Sequence, residues 1–446
     1  MGDFSVNRTA LSPLQVLGFS SPSFPIGALT VATLVYLPHY YATHLGLSLA
    51  LIGGAFTTVR LIDVLFDPVI GLVMDRTHTR LGRYRLWMVC GAPLFIVAAH
   101  QLFMAPKGIG GGYLIGWLLA FYIGISIILL SHLSWAAIIA PDYHDRSRLF
   151  GWIQILGVVG ACAILLTPNI AAMGWMLIVA APLGIVLALF TTPEPPILES
   201  QTQGDKTGRV KLRDYGRMIA RPDMRRIITA DFCLQLGPNW MAALYLFYFR
   251  DLGGFTLAQT NLLLMIYVVA GLVGAVVISR LATLFGKHRT LMGASAGFSI
   301  GLLGVALLPK ADMLVAAPLM FALGVLATSF VLLDRAMIAD VGDAIWLETG
   351  ENRTGLLYAI LTTSQKVAGA LSIGLTYGVL GLVGYDAKVG AANTPAALHG
   401  LSLVFLLGPV CFVLLGGACY LGYTLNAKRH GEIRAALDAR EAGAAP

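Results

Sequence analysis

Apolar stretches long enough to cross a bilayer recur along almost the whole chain, and that repetition constrains the fold more than any other feature. A hydrocarbon core about 30 Å thick takes roughly 20 helical residues per crossing, so 446 residues accommodate many spans and leave little for an extramembrane domain. With 57% hydrophobic and 12% charged residues, the chain does not fit a soluble surface. A membrane-anchored soluble enzyme is excluded on the same ground. The five cysteines, Cys90, Cys162, Cys233, Cys411 and Cys419, all fall in apolar stretches without metal-ligand spacing, which predicts neither a disulfide framework nor a zinc site.

Hydropathy places spans near 16–43, 47–74, 87–106, 111–141, 149–172 and 174–192, then near 227–249, 256–279, 290–309, 313–341, 355–384 and 397–426. The expected organisation is a six-helix bundle over 1–192, a cytoplasmic linker over 193–226, a second six-helix bundle over 227–426 and a cytoplasmic tail over 427–446. The opening MGDFSVNRTALSPLQ lacks the basic start, short apolar core and cleavage site of a signal peptide. With both termini cytoplasmic, only Lys107, Arg250, Lys310 and Lys388 fall outside, Arg60, Arg335 and Lys366 fall within spans, and the remaining 23 of 30 basic residues lie inside. The net charge of +7 is thus a positive-inside signature, and a nucleic-acid partner has no support.

GLVMDRTHTRLGRYR at 71–85 aligns with AVVISRLATLFGKHR at 275–289, pairing Arg76 with Arg280, Gly82 with Gly286, Arg83 with Lys287 and Arg85 with Arg289. Six spans, a linker and six more spans with a matching basic turn are what a duplicated secondary transporter gives, and such proteins bind solute near the midplane between halves. The arginines either anchor the cytoplasmic surface or gate the transporter.

The turn G-x-x-x-D-R-x-x-x-R-x-G-R resembles the signature loop of the major facilitator superfamily. RLIDVLFDPVIGLVMDRTHTRLGRYRLW at 60–87 and MIADVGDAIWLETGENRTGLLYAILTTSQKVAGALS at 337–372 resemble, more narrowly, the glycoside-pentoside-hexuronide:cation symporters, a family that includes the melibiose permease. The resemblance implies an all-α, twelve-helix alternating-access fold of two six-helix bundles in a bacterial inner membrane, with cation-coupled solute transport as the expected activity. It also favours a functional monomer without a cofactor beyond the coupling ion, H+ or Na+.

Asp63 and Asp67 stand one helical turn apart in the second span. An aspartate at helix centre costs about 2.5 to 3.5 kcal/mol to insert, so the pair needs a proton, a cation or basic partners; Arg60, three residues before Asp63, offers a neutralised cluster as the alternative. In the symporters it resembles, this pair carries the coupling ion. Phe66, where sodium-coupled members often have an amide, and Ile128, where a sodium-site hydroxyl stands in the melibiose permease, favour a proton, which needs no oxygen cage. Lys366, deep in the eleventh span, needs an acidic partner. The family has a lysine at this position near its cation site, which assigns Lys366 to Asp63 or Asp67; a static bridge to Asp334 is the alternative. Asp231 is expected at the membrane interface.

Ser131 and Trp135 share a face of the fourth helix, a plausible sugar platform; Trp135 and Thr362 match sugar contacts of the melibiose permease. Ser23, Ser131 and Gln154 stand where that protein has sugar-gripping charges, which argues against a galactoside of that type and opens lysolipid or amphiphile carriage as the alternative. His132 either binds solute or is a helix-packing donor. Gly237 and Pro238 break the seventh span, exposing Asn239 and Trp240 to a cavity, or only kink it. Gating is expected from Asp75, Arg76, Arg80 and Arg83 in the basic turn, from Asp142, Asp145, Arg146 and Arg148 after the fourth span, and from Asp340, Asp343, Glu348, Glu351 and Arg353 after the tenth. The last two groups are expected to form salt bridges between the bundles. The resulting expectation is a symporter of a sugar or glycoside-like small-molecule solute in a lipid bilayer, not an enzyme: no nucleophile, metal triad or HExxH motif is visible.

Overall fold

The computed structural model describes residues 11–77, 79, 81–140, 143–194, 212–350 and 353–443. The expected linker residues 195–211 and the gating candidates Arg80, Asp142 and Glu351 lie outside them, as does the side chain of Asp75. All regular structure among the described residues is helical, as backbone amides in a medium without water require.

The first span is α1 (Pro13–Ser20), α2 (Ser23–Val31), a π-helical stretch (Ala32–Tyr36) and α3 (Leu37–Thr43). Then follow α4 (Leu49–Asp75), α5 (Arg83–Phe103), α6 (Gly111–Ile139), α7 (Tyr143–Leu165) and α8 (Ile170–Thr191). In the second half α9 (Leu212–Ala220) leads into α10 (Pro222–Phe247), which ends in a second π-helical stretch (Tyr248–Leu252). The chain continues through α11 (Leu257–Phe285), α12 (Lys287–Val305), α13 (Met313–Thr349), α14 (Thr354–Leu382), α15 (Pro395–Ala418) and α16 (Ala427–Gly443). Ten of these spans are long and strongly apolar. The seventh and ninth, α10 and α12, complete the twelve with more polar sequences.

Four local expectations are revised. α10 runs unbroken through Gly237 and Pro238, and the missing side chain at Gly237 admits Val413 and the Pro409 carbonyl of α15. Part of the expected linker, 212–220, is helical. α13 continues to Thr349, eight residues beyond the apolar stretch. The expected tail forms a helix over its described residues, α16, with Ile433 and Leu437 buried.

The chain divides into two compact units. The first, Met1–Thr33 with Leu65–Gly204, is held by small residues: a Cβ on Gly27 would meet the Gly157 carbonyl oxygen at 1.9 Å, and one on Gly160 would meet that of Phe24 at 1.8 Å. The backbones of α2 and α7 therefore touch directly, as in membrane helix pairs that associate without a hydrophobic driving force. The second unit, Leu34–Val64 with Asp205–Pro446, seats the first half of α4 on α14, where Thr57 Oγ1 donates to the Ala370 carbonyl at 2.9 Å and Gly374 leaves room for it.

The internal repeat has a backbone counterpart. Gly82 and Gly286 both cap the following helix with φ of 98° and 87°, a left-handed conformation that favours glycine over any side chain.

Gly160→Leu should lower the melting temperature of the detergent-purified protein by the equivalent of about 1–3 kcal/mol or more. Gly151→Ala, whose added carbon meets nothing within 4 Å, should be neutral or stabilising; equal losses at both sites would contradict the α2–α7 contact.

Candidate functional site

The second unit brings together the two charges that the membrane makes most costly. Asp63 on α4 is buried, with 2% of its side chain exposed, and the Lys366 ammonium of α14 lies 3.4 Å from Asp63 Oδ2. The residues are 303 positions apart in sequence. Each also has further interactions, as do Arg60 and Asp67. α4 is continuous through Pro68. An ion pair at this depth is stable only if geometry and added hydrogen bonds offset its desolvation, and breaking it leaves a buried charge uncompensated. Asp334, the alternative partner for Lys366, instead accepts a 2.5 Å hydrogen bond from Tyr420 Oη.

Asn239 joins this neighbourhood. Its Nδ2 lies 3.9 Å from the position a Cβ on Gly369 would take, one turn beyond Lys366 on α14, and Thr362 is exposed one turn before it. Trp240, expected beside Asn239, turns the other way: its Nε1 donates to the Val404 carbonyl at 2.9 Å and the ring packs on Phe412 and into the space left by Gly408. Its polar atom is used in helix packing rather than presented to a cavity.

In the first unit Ser131 and Trp135 share a buried face of α6 with His132. Ser131 Oγ donates to the Ile127 carbonyl at 2.7 Å, and Trp135 packs edge-on against Phe19 at 5.0 Å. His132 stacks on the same ring and its Nε2 donates to the Phe19 carbonyl at 2.8 Å, the helix-packing role. Ser23 is buried and Gln154 is exposed.

The cytoplasmic ends hold contacts that sequence reasoning missed. Glu194, in the expected linker, accepts from the backbone N–H groups of Arg83 at 2.9 Å and of Tyr84 and Arg85 at 3.2 Å. It neutralises the N-terminus of α5, while Arg85 donates to the Leu189 carbonyl at 2.8 Å. Arg76 is exposed, Arg83 and Arg353 are half-buried, and Arg148 donates to the Leu11 carbonyl. Asp340 and Asp343, expected to bridge the bundles, find partners within their own unit. Lys287 reaches Asp340 at 2.7 Å, and the tail residues His430 and Arg434 reach Asp343 at 3.0 and 3.4 Å. The signal was present as Ile433 and Leu437, an i,i+4 apolar pair in a charged segment that marks a docked amphipathic helix.

At the outer end of the second unit, a polar cavity of about 440 Å³ is lined by His44, Arg250, Asp251, Tyr385, Asp386 and Lys388, among others. Burial and the Arg250 guanidinium hold the His44 imidazole below its usual range.

Residues 18–427 match the family described as MFS/sugar transport protein. The chain belongs to that family. The symporter YnaJ of Bacillus subtilis, itself uncharacterized, is 25% identical over 98% of this chain and 97% of its own. An isoprimeverose transporter of Lactiplantibacillus pentosus is 23% identical over 88% of this chain and 84% of its own. A D-xylose-proton symporter of known structure superposes with a TM-score of 0.64 at 17% identity, over 92% of this chain and 97% of that one. The family match bears out the resemblance to glycoside-pentoside-hexuronide:cation symporters and the twelve-helix major facilitator fold. The protein is a secondary transporter of small solutes, a multi-pass integral protein of the bacterial inner membrane, and not an enzyme.

Lys366→Gln alone should cost about 3 kcal/mol by removing the cation that lies 3.4 Å from the buried Asp63 carboxylate, whereas Asp63→Asn with Lys366→Gln should cost less than the sum of the singles. A double-mutant cycle of melting temperatures measures this, and additive losses would show that the pair is not energetically coupled.

Proposed function

We propose that the protein carries a sugar or glycoside-like solute together with a proton, by alternating access, with Asp63 and Asp67 as the cation-binding carboxylates and Lys366 and Arg60 as the residues that link their charge state to conformation. The observation that carries this reading is the Asp63–Lys366 contact inside the membrane. Ionisable residues there mark ion pathways, and a lysine 3.4 Å from the carboxylate gives protonation a mechanical consequence: a neutral Asp63 releases the ammonium, an ionised one recaptures it. The names of the relatives, a symporter and an isoprimeverose transporter, support the same assignment. Phe66 and Ile128 favour H+ over Na+, since neither side chain offers the oxygen a metal cation needs.

Ser23, Ser131, Trp135, Gln154, Asn239 and Thr362 are the proposed solute contacts. In the conformation described, Trp135 is closed behind Phe19, so its use requires that packing to open. The fully buried, mostly apolar surroundings of Ser131 and Trp135 also favour a second reading, a lysolipid or other amphiphile as the solute. Asp75, Arg76, Arg80, Arg83, Asp142, Arg148, Asp340, Asp343 and Arg353 are proposed to gate the cytoplasmic side; for Asp340 and Asp343, gating includes breaking the contacts to Lys287 and the tail. The protein is proposed to act as a monomer in the bilayer.

Thermal melts against sugars, glycosides and lysolipids identify the class, because ligand at about 100 times its Kd adds roughly 2.7 kcal/mol. A saccharide is expected to stabilise the parent but not Trp135→Ala; stabilisation by amphiphiles alone, in more than one detergent, selects the second reading. In proteoliposomes, an imposed pH gradient should drive accumulation of that solute and a sodium gradient should not. Asp63→Asn and Asp67→Asn should each abolish accumulation without loss of folding, and accumulation at the parent level in either variant removes the coupling role.

A further inference from the structure

The coupling scheme leaves unused the polar cavity of about 440 Å³ at the outer end of the second unit. Three segments wall it: the end of α3 with His39, Thr43 and His44, the second π-helical stretch with Arg250 and Asp251, and the loop between α14 and α15. The other π-helical stretch leads directly into α3, so both of these irregular turns, a kind found frequently at functional sites, deliver residues to the wall. The loop is tied down. Asn393 bonds the backbone N–H and the carbonyl of Asp386, each at 2.8 Å, and the Val389 N–H donates to the Thr43 carbonyl at 3.1 Å.

The cavity treats its acidic and basic groups differently. Asp386 Oδ1 accepts from the Lys388 N–H at 3.1 Å, and Asp251 Oδ2 accepts from Tyr385 Oη. The Thr43 hydroxyl donates to the His39 carbonyl at 2.8 Å and so accepts from His44 Nδ1 at 2.7 Å. Arg250 and Lys388 are exposed, and neither side chain has an ion pair or a hydrogen bond among the described residues. Every residue of the outer loops is described. Their three carboxylates are Asp251, Asp386 and Asp312, the last of which caps α13 by accepting from the Leu314 N–H at 2.9 Å. His44, held below its usual range by burial and by Arg250, adds no cation at neutral pH.

Two cations with open donors, carried on anchored segments, select a ligand that brings oxygen acceptors and negative charge. The planar fork of an arginine matches two oxygens of a carboxylate or phosphate, and a lysine adds a point charge. The same two charges disfavour a metal cation, and no group of three or more His, Cys, Asp or Glu that could hold one occurs among the described residues. A neutral sugar is better served by an open aromatic face, whereas Tyr385 is buried with its ring against Phe247 at 5.6 Å. Asp251 and Asp386 keep the cavity near electroneutrality, so an anion there exchanges readily rather than being trapped. We propose that Arg250 and Lys388 form an oxyanion-binding site at the outer end of the second unit, sharing no residue with the proposed cation and solute sites, that takes the carboxylate or phosphate of a small solute or of a lipid headgroup.

The test measures melting temperatures of the full-length protein in detergent at constant ionic strength, with chloride exchanged for sulfate. Sulfate also stabilises proteins generally, so the variants decide. The parent's stability should rise with the logarithm of sulfate concentration, as mass action requires. Arg250→Gln with Lys388→Gln should lose that rise and keep only the general salt effect, while Arg250→Lys with Lys388→Arg, which keeps both charges, should retain part of it. Lys107→Gln with Lys310→Gln, which removes the other two outer cations, should leave it intact, as should Asp63→Asn. Sodium gluconate and micelles containing phosphatidylglycerol separate the two sources: the anion whose stabilisation disappears in Arg250→Gln with Lys388→Gln is the class bound. Equal sulfate responses in the parent and in that variant, or an equal loss in Lys107→Gln with Lys310→Gln, would overturn the proposal, and neither result bears on the coupling role of Asp63.

Discussion

A charge inside a bilayer has to be given its partner by the protein, and the contact between Asp63 and Lys366 is where this chain meets that requirement most directly. Neither side chain could stay at that depth alone without severe cost. Holding them at 3.4 Å demands that α4 approach α14 closely, which explains the run of small and hydroxyl residues along that seam: Gly53, Thr57, Ala370 and Gly374. The packing of the two helices and the chemistry of the pair are one problem. A bulky residue in the seam would move Lys366 away from Asp63 as surely as replacing the lysine.

The same economy of small residues operates in the first unit, where α2 meets α7 through Gly27, Gly157 and Gly160. Lipid is as apolar as leucine, so helices there gain little by hiding hydrophobic surface and associate by close van der Waals contact. On α6, Ser131 bonds back to its own helix and His132 to the Phe19 carbonyl, whereas the Trp135 Nε1 and, on α2, the Ser23 Oγ are enclosed without a hydrogen-bond partner. That pattern makes a packed serine and a solute-binding serine look alike in a single conformation, and only the opening of the Phe19–Trp135 contact distinguishes them.

Much of this was legible in the sequence, for identifiable reasons. Span number follows from the fixed thickness of hydrocarbon; the cost of an unpaired charge says only that Lys366 needs an acidic partner, and the choice of Asp63 or Asp67 over Asp334 comes from the resemblance to the symporter family. The paired glycines 82 and 286 were visible as a repeat, though their positive φ was not. Hydropathy reports where the membrane is and not where a helix ends, so α13 runs on through DVGDAIWLET into the cytoplasm, and α7 begins at Tyr143 before its apolar stretch. Side-chain direction was the other blind spot. Trp240 and Asn239 are adjacent and equally suited to line a cavity by composition, yet helical geometry sends one into α15 and the other towards α14. The depth of Asp231 was hidden because it stands near the start of its span, and only the packing of α14 and α15 over it makes it a core residue.

The cytoplasmic end of α13 shows how such packing redistributes roles. Asp340 stands at the very end of the apolar stretch and Asp343 just beyond it, where an exposed ion pair would contribute little. Here Asp340 is mostly buried beside Lys287, and α16 covers the region with Ile433 and Leu437 while presenting His430 and Arg434 to Asp343. Desolvation makes these contacts stronger than exposed pairs and ties them to the tail, because charges that lose the tail's apolar cover also lose their low-dielectric surroundings. Any motion that needs Asp340 or Asp343 elsewhere has to undock or carry along α16, which makes the tail a mechanical part of the second unit rather than an appendage to it.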